Sequence, residues 1–216
     1  MEIRKLNSKL TNKRNLMLKG SFDLLFTCLS LVLLVPVFLI LALLIYLESN
    51  GPIIYDGVRM GKDGKKFKCY KFRSMYTDSE AVLAQYLKEH PQALQQWKKY
   101  HKLENDPRIT PIGRFLRKTS LDELPQFWNV LMGDMSIVGP RPYLPEEKGD
   151  MGEAYDVILQ IRPGLTGVWQ TNGRSNLEFS RRLEMDQWYV EHWSFGLDLQ
   201  LIWKTVGIVL KAQGAR

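Results

Sequence analysis

Two carboxylates stand side by side at Asp122 and Glu123, in a run from Asp106 to Arg141 that also carries Arg108, Arg114, Arg117, Lys118 and Arg141. Two like charges at about 4 Å cost on the order of 4 kcal/mol at an effective dielectric of about 20. An adjacent acidic pair therefore calls for cations, and the neighbouring basic residues or a divalent ion would supply them. Such a composition suits phosphoryl transfer: one acid attacks phosphorus to form an acyl phosphate, while the other holds a metal or moves a proton. Gly139-Pro140-Arg141-Pro142 places an arginine between two prolines, which limits its backbone freedom and pre-orients the guanidinium. The bland alternative is a helix start. Ser120-Leu121-Asp122-Glu123 fits the capping-box template, although Pro125 would then lose a hydrogen bond inside the helix. No P-loop, zinc-protease or Ser-His pattern is present, and His90, His101 and His192 are given no catalytic role.

Several elements must position this pair. Residues 53–60 and 66–73 read as short strands joined by the turn Lys62-Asp63-Gly64. Alternation along the second strand puts Lys71 and Arg73 on one face, either as a phosphate-facing pair or as the charge of a solvated edge strand. Residues 78–103 form a scaffold helix interrupted at Pro91. Residues 178–193 and 197–211 form two more helices, the last with Leu199, Ile202, Val206 and Val209 on one side. With six tryptophans, these basic amphipathic helices suit either a membrane interface or ordinary core packing. Glycines at 164, 167 and 173 suit tight turns or close approach to a ligand.

The 216 residues suit one domain, and the net charge of +7 favours anionic partners. Cys28 and Cys69 form neither a disulfide framework nor a zinc site. Leu24 to Leu47 is almost unbroken hydrocarbon. As a helix it would be roughly 36 Å long, enough for a bilayer core of about 30 Å. Both flanks are basic, with Arg14 and Lys19 before the run and Arg59 and Lys62 after it. The positive-inside rule therefore favours a hairpin-like return over a single span, with Pro36 as the break. The expected organisation is a basic interfacial segment over 1–22, a re-entrant membrane helix over 23–48, and a catalytic domain over 49–216. The fold class is α+β, mostly helical, with a small β hairpin.

Tyr70-Lys71-Phe72-Arg73-Ser74-Met75, Ser120-Leu121-Asp122-Glu123-Leu124-Pro125-Gln126, the Gly139–Pro142 turn, Arg162-Pro163-Gly164-Leu165-Thr166-Gly167 and Asp186-x-x-Tyr189 occur in one order. With the Pro-containing apolar segment, they resemble the bacterial sugar transferase family, the monotopic polyprenol-phosphate phosphoglycosyl transferases, over about residues 16–210. The match is to the short form, without the extra N-terminal domain of longer members. The resemblance implies transfer of a sugar-1-phosphate from a UDP-sugar to undecaprenyl phosphate with release of UMP. It implies Asp122 as nucleophile and Glu123 as its partner and ligand of Mg²⁺. It places phosphate or substrate binding on Arg117 and Arg141, with Lys71, Arg73, Arg114 and Arg174 as further candidates. Membrane phospholipids are implied partners, nucleic acid is not, and the location is the cytoplasmic face of the bacterial inner membrane. Residues 169–176 loosely resemble members that use galactose or glucose. Oligomeric state has no signature in the sequence. Two departures from the family pattern stand out: Gly20 where an arginine follows the lysine, and Val35 where serine often precedes the proline. Two rivals stay open, a membrane-attached glycosyltransferase that releases UDP and a non-enzymatic scaffold that binds acidic lipid.

Overall fold

The computed structural model describes residues 10, 12–100, 103, 105–173 and 177–210. One long helix, α1 (Lys13–Glu48), starts at an Asn12 cap whose side chain accepts from the Arg14 amide, and runs through Pro36 without leaving helical geometry. Pro36 therefore does not end the helix. Proline removes one N–H, and the helix continues with side chains on both sides of that position packed on the body. The helix also begins eleven residues before the apolar segment, so part of the basic flank is helical too.

Its burial is one-sided. Lys19, Asp23 and Thr27, four residues apart, are buried in the first half, and Leu41 and Ile45 are buried in the second. Side chains at that spacing share one helix face. The other side leaves Leu25, Leu29, Val32, Leu33, Leu39, Ile40 and Leu47 uncovered by protein.

Both ends of α1 are tied to the body. Near its start, Lys19 Nζ donates to Asp198 Oδ2 at 2.7 Å and to the Val138 carbonyl at 2.9 Å. Asp23 accepts from the Ser136 hydroxyl and the Ile137 amide. Tyr189 and Trp193 also donate to Asp198, so its carboxylate is fully engaged. At the other end, Glu48 accepts from the Ile112 amide at 2.7 Å, and Arg73 Nη2 donates to the Ser49 carbonyl at 2.6 Å and to its hydroxyl at 2.9 Å.

The hairpin forms as expected. β1 (Ile54–Met60) pairs antiparallel with β2 (Lys66–Phe72), with Tyr55 opposite Lys71, around a turn at Lys62–Gly64 in which Asp63 takes positive φ. Then come α2 (Ser79–Glu89), α3 (Pro91–Tyr100), α4 (Pro111–Thr119) and α5 (Gln126–Met132), with the break at Pro91 where the sequence placed it. A second pair, β3 (Ser136–Val138) beside β4 (Gly164–Thr166), is parallel and joined through the short helices α6 (Lys148–Met151) and α7 (Ala154–Ile158). Gly139 and Gly164 bring these backbones so close that a Cβ on Gly164 would overlap the Gly139 amide nitrogen. The chain closes with α8 (Phe179–His192) and α9 (Phe195–Leu210). The main core joins Phe127, Val130, Met135, Ile137, Tyr189, Val190 and Trp193, with Phe26, Leu31 and Leu34 of α1 packed onto it. The architecture is thus mostly helical with a small antiparallel hairpin, as the sequence indicated.

Lys19→Met should expose the weight of the α1 anchor, because it leaves the Asp198 charge buried without its ion partner. Removing one member of a buried pair costs about 3 kcal/mol. Denaturant unfolding in detergent micelles should show that loss, and a change below about 0.5 kcal/mol would rule out the anchoring role.

Candidate active site

The acidic pair sits on a turn with an unusual entrance. α4 ends at Ser120, whose φ of 59° and ψ of 18° lie in the left-handed region. For a residue with a Cβ that conformation costs on the order of 1 kcal/mol and clusters at functional sites. Leu121–Glu123 then form one 3-10 turn, and regular helix resumes after Pro125 as the cap of α5. The expected capping box is not made: Ser120 offers no side-chain cap, and only its carbonyl accepts, from the Glu123 amide at 3.3 Å. Pro125 is the reason. It has no N–H to continue a helix from Ser120, so the chain makes a tight turn first.

This turn buries Asp122 and leaves Glu123 partly open, with side-chain exposures of 12% and 41%. From β2, Lys71 Nζ reaches Glu123 Oε1 at 2.6 Å and Asp122 Oδ2 at 3.8 Å. Burial pushes the Asp122 carboxyl up to about 6, with the Glu123 charge adding to the rise and Lys71 and Arg117 opposing it. Burial alone would lower Lys71, but the charges of Glu123 and Asp122 outweigh it and its pKa is raised. Arg117, one turn back on α4, donates from Nε to Ser74 Oγ at 2.9 Å. α4 can approach Ser74 because position 113 is glycine; a Cβ there would collide with the Ser74 carbonyl.

Arg141 comes from a separate element, the Gly139–Pro142 turn. Its amide donates to Asp186 Oδ2 at 2.9 Å, and its guanidinium pairs with Glu147 at 2.9 Å. Lys71, Arg117, Asp122, Glu123 and Arg141 all line one cleft of about 1040 Å³, together with Trp169.

The structure sorts the other expected residues differently. Arg73 lines the same cleft as Lys71, but it follows the end of β2 at Phe72 and is buried, with Nη2 on the carbonyls that end α1. A cation there also suits the negative end of the helix dipole. Arg114 lies exposed on the outer side of α4 and does not line the cleft. Arg174 lies outside the described residues. Arg108 lines the cleft but grips Asp106 through Nε and Nη2. The role of Asp186 was missed. It is wholly buried on α8 and also accepts from the Tyr143 hydroxyl at 2.8 Å. A carboxylate on the same buried stripe as Leu183, Tyr189 and Val190 was the signal that could have found it.

A buried carboxylate on a strained turn, with Lys71 and Arg117 acting on it and Arg141 lining the same cleft, is a site built to receive an anion. The chain belongs to the bacterial sugar transferase family, whose model matches residues 14–212, and family membership makes the protein an enzyme. It is 43% identical over 98% of its length to the undecaprenyl-phosphate galactose phosphotransferase of Salmonella typhimurium. It is 42% identical over 91% of its length to the exopolysaccharide production protein ExoY of Sinorhizobium fredii. Against the UDP-glucose:undecaprenyl-phosphate glucose-1-phosphate transferase of Escherichia coli it is 40% identical over 92% of its length. The chain spans 44% of the Salmonella protein, 87% of ExoY and 42% of the Escherichia protein.

The raised Asp122 pKa makes a signed prediction. Its neutral form is the one the fold prefers, so this stability is complete below about pH 4 and is lost as pH rises through 6. Asp122→Asn keeps the site neutral. It should therefore be more stable than the parent at pH 8 by about 3 kcal/mol, and equal to it near pH 4. Thermal unfolding across that range reads the difference, and a variant less stable at pH 8 would contradict the buried-charge account.

Proposed function

We propose that the protein transfers a sugar-1-phosphate from a UDP-sugar to undecaprenyl phosphate and releases UMP, a first membrane step of exopolysaccharide, capsule or O-antigen assembly. The observation that carries this reading is Asp122, a buried carboxylate fixed by the Ser120 turn and faced by Lys71 and Arg117, with Arg141 lining the same cleft. The printed activities of the relatives point the same way. A cleft of about 1040 Å³ has room for a nucleotide sugar.

The chemistry follows from the placement. Above pH 6 the Asp122 carboxylate is ionised, and one oxygen attacks the sugar-linked phosphorus of the donor. The bond from that phosphorus to the bridging oxygen breaks, UMP departs with the electron pair, and an acyl phosphate carrying the sugar remains on Asp122. An oxygen of the lipid phosphate then attacks the same phosphorus and frees the carboxylate. Arg117 and Arg141 neutralise charge that builds on the phosphoryl oxygens. Lys71 holds Glu123 in place beside the nucleophile.

The acidic pair fits Mg²⁺ of the kind held by one or two carboxylates together with substrate phosphates. Among the described residues no three His, Cys, Asp or Glu side chains gather as a closed cage. Glu123 is the ligand of choice, being the more exposed of the two. When bound, the ion supplies charge neutralisation to the diphosphate.

The membrane reading rests on α1. Its uncovered apolar side exceeds what a soluble protein leaves in water. Because both its ends are fastened to the same body, a full crossing would separate contacts that the fold keeps together. The helix therefore enters the membrane from one face and lays its polar stripe on the catalytic body. On α9, Leu199, Trp203 and Val206 are exposed as well, and they extend the surface that meets lipid. The catalytic body then faces the cytoplasm, where UDP-sugars are found.

Incubation with a panel of UDP-hexoses and UDP-N-acetylhexosamines, Mg²⁺ and undecaprenyl phosphate should release UMP. Release of UDP would instead establish transfer of the bare sugar, and no product across the panel would favour a lipid-binding scaffold. Asp122→Asn should lower turnover at least 10³-fold, on the order of what loss of a nucleophile costs, and parental turnover in that variant would remove Asp122 from the role. The kcat/KM of the parent should fall on the acid side with a midpoint near pH 6.

A further inference from the structure

Arg141 has both its backbone and its side chain held by acidic residues, and by two different ones. Its amide donates to Asp186, its guanidinium pairs with Glu147 Oε1, and that guanidinium lies 5.4 Å above the Tyr143 ring. Glu147 Oε2 in turn accepts from the Leu144 amide at 2.7 Å, which fixes the loop that carries the arginine. The Tyr143 hydroxyl donates to the same Asp186 oxygen that receives the Arg141 amide. One buried oxygen on α8 thus fixes both the backbone of Arg141 and the ring beneath its guanidinium. The second oxygen, Oδ1, is buried without a hydrogen-bond partner. A buried carboxyl with an unsatisfied oxygen is costly to the fold. Packing does not repay it, since Leu183, Tyr189 and Val190 already supply the buried face of that helix.

We propose that Asp186 is a positioning residue for the transfer reaction, acting through Arg141 and Tyr143 to hold the Arg141 guanidinium where a substrate phosphate must sit. This deepens the transferase reading and rests on it. Arg141 lines the cleft from the Gly139–Pro142 turn, an element separate from α4, which carries Arg117. Asp186 therefore sets the position of a charge that α4 does not control. A misplacement of about 1 Å can cost on the order of 10²-fold in rate.

The test is a double-mutant cycle on kcat/KM with a UDP-hexose that yields UMP, checked by circular dichroism so that only folded enzyme is compared. Asp186→Ala should lower kcat/KM by about 10²-fold alone, and by less than about threefold when Arg141 is already alanine. That non-additivity is what action through a shared partner requires. Asp186→Asn, whose amide oxygen can take over both hydrogen bonds, should recover most of the loss. If Asp186→Ala does not fold, Tyr143→Phe replaces it in the cycle, with about a tenfold loss alone and little beyond Arg141→Ala. Independent losses in either cycle overturn the proposal, as does a purely thermal defect with unchanged kcat/KM. An Arg141→Ala variant as active as the parent also overturns it. The affinity for UDP, measured by calorimetry in the Asp122→Asn background, separates the two readings. Coupled losses of UDP affinity at Asp186 and Arg141 would stand even if no UMP were formed, whereas UMP formation with uncoupled affinities would sink only the positioning role.

Discussion

Everything chemical in this molecule depends on how Lys71 meets the Asp122–Glu123 turn. The lysine comes from the next-to-last pair at the open end of a two-stranded hairpin, and the carboxylates come from a 3-10 turn between two helices. These elements are separated by some fifty residues and share no hydrogen-bond ladder, yet the ion pair closes at 2.6 Å. A carboxylate as buried as Asp122 is tolerated only with compensating charge. Lys71 and Arg117 supply part of it, and the remaining cost shows as the raised pKa of Asp122. The balance is suited to a nucleophile. More compensation would leave a carboxylate too content to attack, and less would keep it protonated at neutral pH.

That balance needs rigid supports, and the fold supplies them with buried polar contacts. Asn129 accepts from the Tyr70 amide and donates to the Lys68 carbonyl, so the hairpin that carries Lys71 is bonded to α5 just beyond the acidic turn. Gly113 lets α4 seat against Ser74, which orients Arg117. Asp186 holds the Arg141 loop from below. Each contact joins a chemical residue to an element distant in sequence, and each is a polar group removed from water that must be paired to be tolerated.

The legible part of this arrangement was what depends on local sequence. The hairpin turn at Lys62–Gly64, the break at Pro91 and the last two helices follow from turn residues and apolar spacing, and the structure has them. The acidic pair and the Arg141 turn were visible because charge and proline mark them directly. What escaped was decided by tertiary partners. Ser120-x-x-Glu123 reads as a capping box, but Pro125 and the pull of Lys71 turn it into a strained corner instead. Strand alternation paired Lys71 with Arg73, but the end of β2 at Phe72 and the carbonyls of α1 redirected the arginine. The parallel pairing of β3 with β4 joins two three-residue strands about thirty residues apart, too short for a period to show. At Pro36, the local preference for a break gave way to a helix that packs on both sides of that position, through Leu34 and Val37.

The same anchoring logic explains why a hydrophobic helix and a charged cleft belong to one body. The Lys19 and Glu48 ends of α1 bond to β3, α9 and α4, and α4 also carries Arg117. Arg73, which closes the far end of α1, directly follows the strand that carries Lys71. The long apolar helix and the cleft residues are therefore fixed to each other through single elements, with no linker between them. On the proposed reading this solves a geometric problem. The donor is water-soluble, while the phosphate of the acceptor lipid is confined to the headgroup layer and cannot travel to a distant active site. A cleft rigidly attached to a helix that enters the membrane from one face stays at a constant depth. A helix on a flexible tether would let that depth drift, and the loss would fall on the second transfer alone, because only that step draws its substrate from the membrane.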